Sequence, residues 1–151
     1  MIKKAFKEIS YYIVAHADDW QFFMHPHAYL DIMNEENKVV IIIPTAGDAG
    51  KDREYWEARE EGCKSSVRFC LAPLYMIREQ EGTRIINNHK ICFWTANHVT
   101  CYFMRLPDGN LDGAGFSNNY YLSLAKLKSK EILSVTVLDH STLYSDWEDF
   151  Y

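Results

Sequence analysis

A chain of 151 residues and 17.7 kDa, 48% hydrophobic and 15% aromatic, suits one compact domain over residues 1–151 and leaves little room for a second. Sixteen Lys and Arg against 21 Asp and Glu give a net charge of −5 with no basic cluster, which argues against nucleic acid as a partner. The longest apolar run, residues 39–43, is far short of the ~20 residues a membrane span needs.

The first eight residues carry basic side chains, but no apolar stretch of about 7 to 15 residues follows them. They do not read as a secretory signal, and a cytoplasmic location is expected. Cys63, Cys70, Cys92 and Cys101 never approach C-x-x-C spacing and are expected to be reduced core thiols.

Residues 11–15 are short, aromatic and β-branched, and run into the polar cluster His16-Ala17-Asp18-Asp19, as a strand emptying into a loop does. A helix interrupted by Pro26 is expected over residues 20–36. Residues 38–43 are apolar on both faces and stop at Pro44, the pattern of a buried parallel strand. Gly47 and Gly50 mark a loop. From residue 54 to 71, Trp56, Cys63, Val67, Cys70 and Leu71 recur on one face of an amphipathic helix, weakened at Gly62 by about 1 kcal/mol relative to Ala.

Strands are expected at residues 85–86, 91–94 and 99–104, then a turn-rich stretch over 106–113, a helix over 121–127 and a strand over 132–138. The alternation favours an α/β domain with a mostly parallel twisted sheet, in which ligands sit at the carboxyl ends of strands. Ser145-Asp146-Trp147-Glu148 fits a capping box at a helix start. A helix of about six residues is too short to stand unaided, so the natural protein is expected to continue beyond Tyr151.

The strongest chemical constellation is His16-Ala17-Asp18-Asp19. An imidazole and a carboxylate three positions apart on a turn can meet at one divalent cation, with zinc the best match to nitrogen and oxygen donors. Asp18 would then face a metal-bound water as general base. Against this stands the ordinary role of Asp in turns, where its side chain bonds the local backbone.

Four stretches in order resemble the PIG-L/LmbE-like de-N-acetylases. They are His16-Ala17-Asp18-Asp19-Trp20, Thr45-Ala46-Gly47-Asp48-Ala49-Gly50, Tyr55-Trp56-Glu57-Ala58-Arg59-Glu60, and the run from Phe103 through Arg105-Leu106-Pro107-Asp108-Gly109-Asn110 to Gly113. The resemblance spans roughly residues 10–147. It implies a Rossmann-like three-layer fold and a hydrolase, dependent on zinc or another divalent metal, that removes an N-acetyl or other N-acyl group from an amino sugar such as an N-acetylglucosamine derivative or glycoconjugate.

Carried over by motif, the resemblance makes His16 and Asp19 zinc ligands, Asp18 the general base, Arg59 a substrate-binding arginine and Asp108 a carboxylate for sugar hydroxyls. Ala17 and Trp20 replace the usual Pro and Glu of the first motif. The family's third zinc ligand and oxyanion-stabilising histidine come from a later histidine motif that this chain does not contain, so weak metal affinity and low turnover are expected. His140, the only late histidine, has a different context, and His25 and His27 flank Pro26 within reach of a metal. An oligomer is compatible with the sequence. The alternative is a non-catalytic carbohydrate-binding or interaction domain using Trp20, Trp56 and Trp94 against sugar faces. A nucleotide binder lacks the G-x-G-x-x-G fingerprint.

Overall fold

The computed structural model describes residues 5–74 and 76–151. Residues 1–4, half of the stretch read above for a signal, lie outside them. In chain order the elements are β1 (Glu8–Ile13), α1 (Asp19–Phe23), α2 (His27–Met33), β2 (Asn37–Thr45), α3 (Arg53–Leu71), β3 (Glu79–Ile86), β4 (His89–Ala96), β5 (Val99–Leu106), α4 (Leu124–Ser129), β6 (Val135–Thr136), β7 (Leu143–Tyr144) and α5 (Trp147–Phe150). Helices and a central sheet alternate, so the domain is α/β.

The main sheet has the order β1-β2-β5-β4-β3. β1, β2 and β5 are parallel neighbours, whereas β4 runs antiparallel to both β5 and β3. The expectation of a mostly parallel sheet is therefore corrected to a mixed one. Two tight turns cause the difference. Asn87 and Asn88 both take left-handed φ values of 49° and 67°, the geometry that matches the twist of a two-residue hairpin, and Asn97 (φ 50°) opens the next. β3 itself is exposed along its whole length, so its sequence, Glu79-Gln80-Glu81-Gly82-Thr83-Arg84, carries no apolar alternation.

α1, α2 and α3 pack on the sheet around one core. Ile32, Val67 and Leu71 from the helices meet Val39, Ile41, Trp94, Val99, Cys101 and Phe103 from the strands. Burial of each large aliphatic side chain stabilises the fold by about 1.5–3 kcal/mol. A second cluster gathers Leu127, Val135, Val137 and Tyr144 around Leu106, the last residue of β5. Cys63, Cys70 and Cys101 lie in the first core, the half-buried Cys92 packs against it, and all four are free thiols.

Other boundaries shift for local reasons. The cis His25-Pro26 bond separates α1 from α2. The helix expected from residue 121 begins instead at Leu124, because the Ser123 side chain caps it by accepting from the Lys126 N–H, while Tyr120 and Tyr121 sit in the left-handed region. The strand expected over residues 132–138 is reduced to two residues. At the last helix Asp146, not Ser145, is the N-cap, accepting from the Asp149 N–H, and Asp149 reaches back to the Ser145 N–H. No helix among the described residues is long and apolar enough to cross a membrane.

Candidate active site

Because β1, β2 and β5 are parallel neighbours, their carboxyl ends lie side by side and the loops that follow converge. The Ala15 carbonyl accepts from both the Thr45 hydroxyl (2.7 Å) and the Thr45 N–H (3.3 Å), and the Ala46 N–H donates to the Leu106 carbonyl at 2.9 Å. These bonds fasten the loop beginning at residue 14 to the one at residue 46, and that one to the one at residue 107.

His16 occupies the centre. Its backbone N–H donates to Asp19 Oδ2 at 2.9 Å, which folds the turn tightly enough to bring the same oxygen to 3.8 Å from His16 Nδ1. On the other side, His16 Nε2 stands 3.6 Å from Asp108 Oδ2. The imidazole thus lies between two carboxylates, with a third of its surface open.

Asp18 accepts from Arg59 Nη2 at 2.5 Å through Oδ1, and its side chain is 44% exposed. Arg59 comes from the middle of α3, whose start is fixed by Asp52 accepting from the Tyr55 N–H. Its Nε is buried without a hydrogen-bond partner. The two substitutions in the first motif serve packing. Ala17 is buried, and the buried Trp20 donates its indole N–H to Cys63 Sγ at 3.3 Å, anchoring α1 on α3.

Two further residues hold the arrangement; both lie in the second of the four motifs, where the sequence marked Gly47 as part of a loop but gave neither residue a role in the site. Gly47 has φ +60°, and a Cβ there would fall 2.9 Å from His16 Cδ2 and 3.0 Å from Arg59 Nε. Its bare Cα is the floor on which the imidazole and the guanidinium rest. Asp48 is fully buried; its Oδ1 accepts from the Asp108 N–H (2.9 Å), and its Oδ2 from the Gly50 N–H (2.8 Å) and Asn119 Nδ2 (2.7 Å). Asp108 in turn accepts from the Asn110 and Ala49 N–H groups, so it is a loop-forming residue that also faces His16. An Asp between glycines after a strand was the available signal for Asp48, but it equally describes an exposed turn.

Behind these loops, Arg105 is bound through two donors to Glu60 at 2.8 Å each and through Nη1 to Asp139 at 2.7 Å. Burial pushes the Asp139 carboxyl up, but the Ser141 and Arg105 donors outweigh it and hold the group below the usual carboxylate range. His89 and His98 are buried and hydrogen-bonded, to Thr142 and Asp149 and to the Ile32 carbonyl respectively. His140 is exposed and lines a separate cavity. Trp20, Trp56 and Trp94 are 2–3% exposed, so the alternative in which they stack on sugars is corrected. They are core.

A family model described as PIG-L: GlcNAc-PI de-N-acetylase matches residues 11–145, about nine-tenths of the chain. The chain belongs to the PIG-L family. The de-N-acetylase character of the PIG-L family places it, at the coarse level, among hydrolases. No curated protein and no solved structure matches it significantly.

A metal-dependent member needs donors, and the pair His16 Nδ1 and Asp19 Oδ2, one nitrogen and one oxygen 3.8 Å apart, is a spacing that one ion at ~2.0–2.2 Å from each can bridge. Those two donors fit. No group of three or more His, Cys, Asp and Glu able to hold a metal is found among the described residues, one fewer protein ligand than a catalytic zinc normally takes.

Proposed function

We propose that the chain is a metal-dependent de-N-acetylase, on a Rossmann-like three-layer scaffold in the reducing cytoplasm, that hydrolyses the N-acyl amide of an amino sugar such as an N-acetylglucosamine derivative. The observation that carries this reading is the meeting of His16, Asp18, Asp19, Arg59 and Asp108 at the ends of three parallel strands. His16 and Asp19 would hold a divalent ion, zinc by preference. When bound, such an ion polarises an amide carbonyl and makes water acidic enough to attack near neutral pH.

Asp108, 3.6 Å from Nε2, favours the proton on that nitrogen and leaves the Nδ1 lone pair toward Asp19, as carboxylates behind metal-binding histidines do. Arg59 holds Oδ1 of Asp18 and leaves Oδ2, on a side chain 44% exposed, to take the proton of the attacking water and return it to the leaving amine. The Arg59 side chain is 25% exposed, and the guanidinium N–H groups that Asp18 does not use would donate to a substrate oxygen.

The test is zinc titration combined with amine release from N-acetylglucosamine. Zinc binding should be weak and lost in both His16→Ala and Asp19→Ala. Asp18→Asn should bind zinc normally while lowering any amine release by about 10²-fold or more. Zinc uptake that survives both His16→Ala and Asp19→Ala would sink the assignment.

A further inference from the structure

The two edges of the main sheet are unlike. At one end β3 carries Glu79, Glu81 and Arg84 with Gly82 between them, the kind of charged edge that discourages another strand from joining. At the other, β1 reads Ile9-Ser10-Tyr11-Tyr12-Ile13, without a charge, a proline or a glycine, and among the described residues no strand lies beyond it. Ile9, Tyr11 and Ile13 are 54%, 61% and 64% exposed.

One face and one edge of β1 present the same three residues. Val39, Ile41 and Ile43 of β2 lie in the core with the helices, and on that side Tyr12 sends its hydroxyl to Asp31 on α2. Tyr11 and Ile13 are in register with Val40 and Ile42, so together with Ile9 they point to the opposite face, away from α1, α2 and α3. The backbone follows the same alternation. The Val14 N–H donates to the Ile42 carbonyl at 3.0 Å, which turns the N–H and C=O groups of Tyr12 and Ser10 toward β2 and those of Ile13, Tyr11 and Ile9 outward. Outward backbone donors and acceptors and an apolar stripe thus coincide on one edge.

We propose that β1 is the interface of a homodimer, in which two copies pair β1 antiparallel about a two-fold axis at Tyr11 and join their sheets into one. In that register Ile9 stands opposite the partner's Ile13, Tyr11 opposite the partner's Tyr11 and Ile13 opposite the partner's Ile9, and each pair exchanges N–H···O bonds through the groups that point outward. Moving the axis to Ser10 would set Ile13 against the partner's Lys7, so the apolar stripe selects the register. Three exposed side chains and one backbone edge from each copy bury roughly 1,000 Å² in all, the lower bound of a specific interface, which makes the dimer weak, with a Kd of order 10 μM. Being two-fold, the pairing closes on itself and leaves no β1 edge for a third copy. It also sends the strand ends of the two copies in opposite directions, so both centres at His16 stay open and the dimer does not depend on the chemistry assigned to them.

The test is sedimentation of the full chain, without added metal, from about 1 to about 500 μM, over which the mass should rise from 17.7 kDa toward twice that value with a midpoint of order 10 μM. Because Tyr11 meets its own copy, Tyr11→Lys and Tyr11→Glu should each weaken the dimer at least about ten-fold by setting like charges opposite one another, whereas an equimolar mixture of the two should recover association. Ile9→Ser, which strips the contact with the partner's Ile13 and adds no charge, should weaken it as well. All three positions of change are exposed, so the thermal melt of dilute protein should stay that of the wild type. A chain that stays monomeric at about 500 μM, a dimer that survives Tyr11→Lys, Tyr11→Glu and Ile9→Ser, a mixture no more associated than its components, or a mass that climbs past the dimer would each overturn the interface.

Discussion

Gly47 shows how one absent methyl group positions two functional side chains. His16 Cδ2 and Arg59 Nε lie 2.9 and 3.0 Å from where its Cβ would be, and its φ of +60° is unfavourable for any L side chain. Gly47→Ala should cost about 1–2 kcal/mol from the backbone alone. It should also displace the imidazole or the guanidinium, so zinc affinity should fall at least about ten-fold while the circular dichroism spectrum stays native. Calorimetric titration beside a thermal melt separates the two effects, and unchanged affinity would show that the glycine does not set the position of His16. The motif containing Gly47 was legible in the sequence, whereas its contact with Arg59, twelve positions away, was not. That contact depends on how α3 lies across the end of β2, which no local pattern encodes.

At the scale of elements, α3 was legible almost to the residue because its apolar face repeats with helical period and Asp52 caps it. β3 was largely hidden, since an exposed edge strand has no buried face to write into the sequence. The ion cluster that joins α3 to β5 was equally silent, because Glu60, Arg105 and Asp139 each look like surface residues in isolation. Glu60 and Asp139 are 8% and 11% exposed in their side chains, so Arg105→Ala would leave two buried carboxylates without their cation. The expected loss is about 3–5 kcal/mol, read as a shift in the urea midpoint, and Arg105→Lys should recover only part of it. Tyr144 makes the opposite case. Its hydroxyl is buried without a partner, and burial, reinforced by the nearby Asp149, pushes its pKa up to about 12. A raised folded-state pKa means stability that is intact below pH ~10 and lost as the pH climbs toward 12. Tyr144→Phe should therefore leave stability at pH 7 unchanged or raised by up to about 1 kcal/mol and should flatten the alkaline part of the pH–stability curve.

For the whole molecule, the acid limb has a separate origin. Arg68 holds Glu79 low; Ser10, Tyr12 and Asn37 outweigh burial at Asp31; Ser141 and Arg105 outweigh it at Asp139. Carboxyls depressed on folding contribute stability that is fully present above their unfolded pKa, about 4, and disappears as pH falls through the lower folded values. Urea midpoints should be flat from pH 7 to about pH 5 and drop steeply below pH 4; a midpoint unchanged at pH 3 would contradict this account. The α/β class and the convergence of chemistry at strand ends were readable from alternation and polar punctuation, but the direction of β4 depended on asparagine turns whose meaning is geometric. Those converged strand ends have one more implication, through Asp48. Its carboxylate receives the backbone protons of Gly50 and Asp108, which belong to loops almost sixty residues apart. Both amides are released only when that carboxylate lets go, so their deuterium uptake should follow one common rate, and a molecule that steadies either loop should slow exchange in the other.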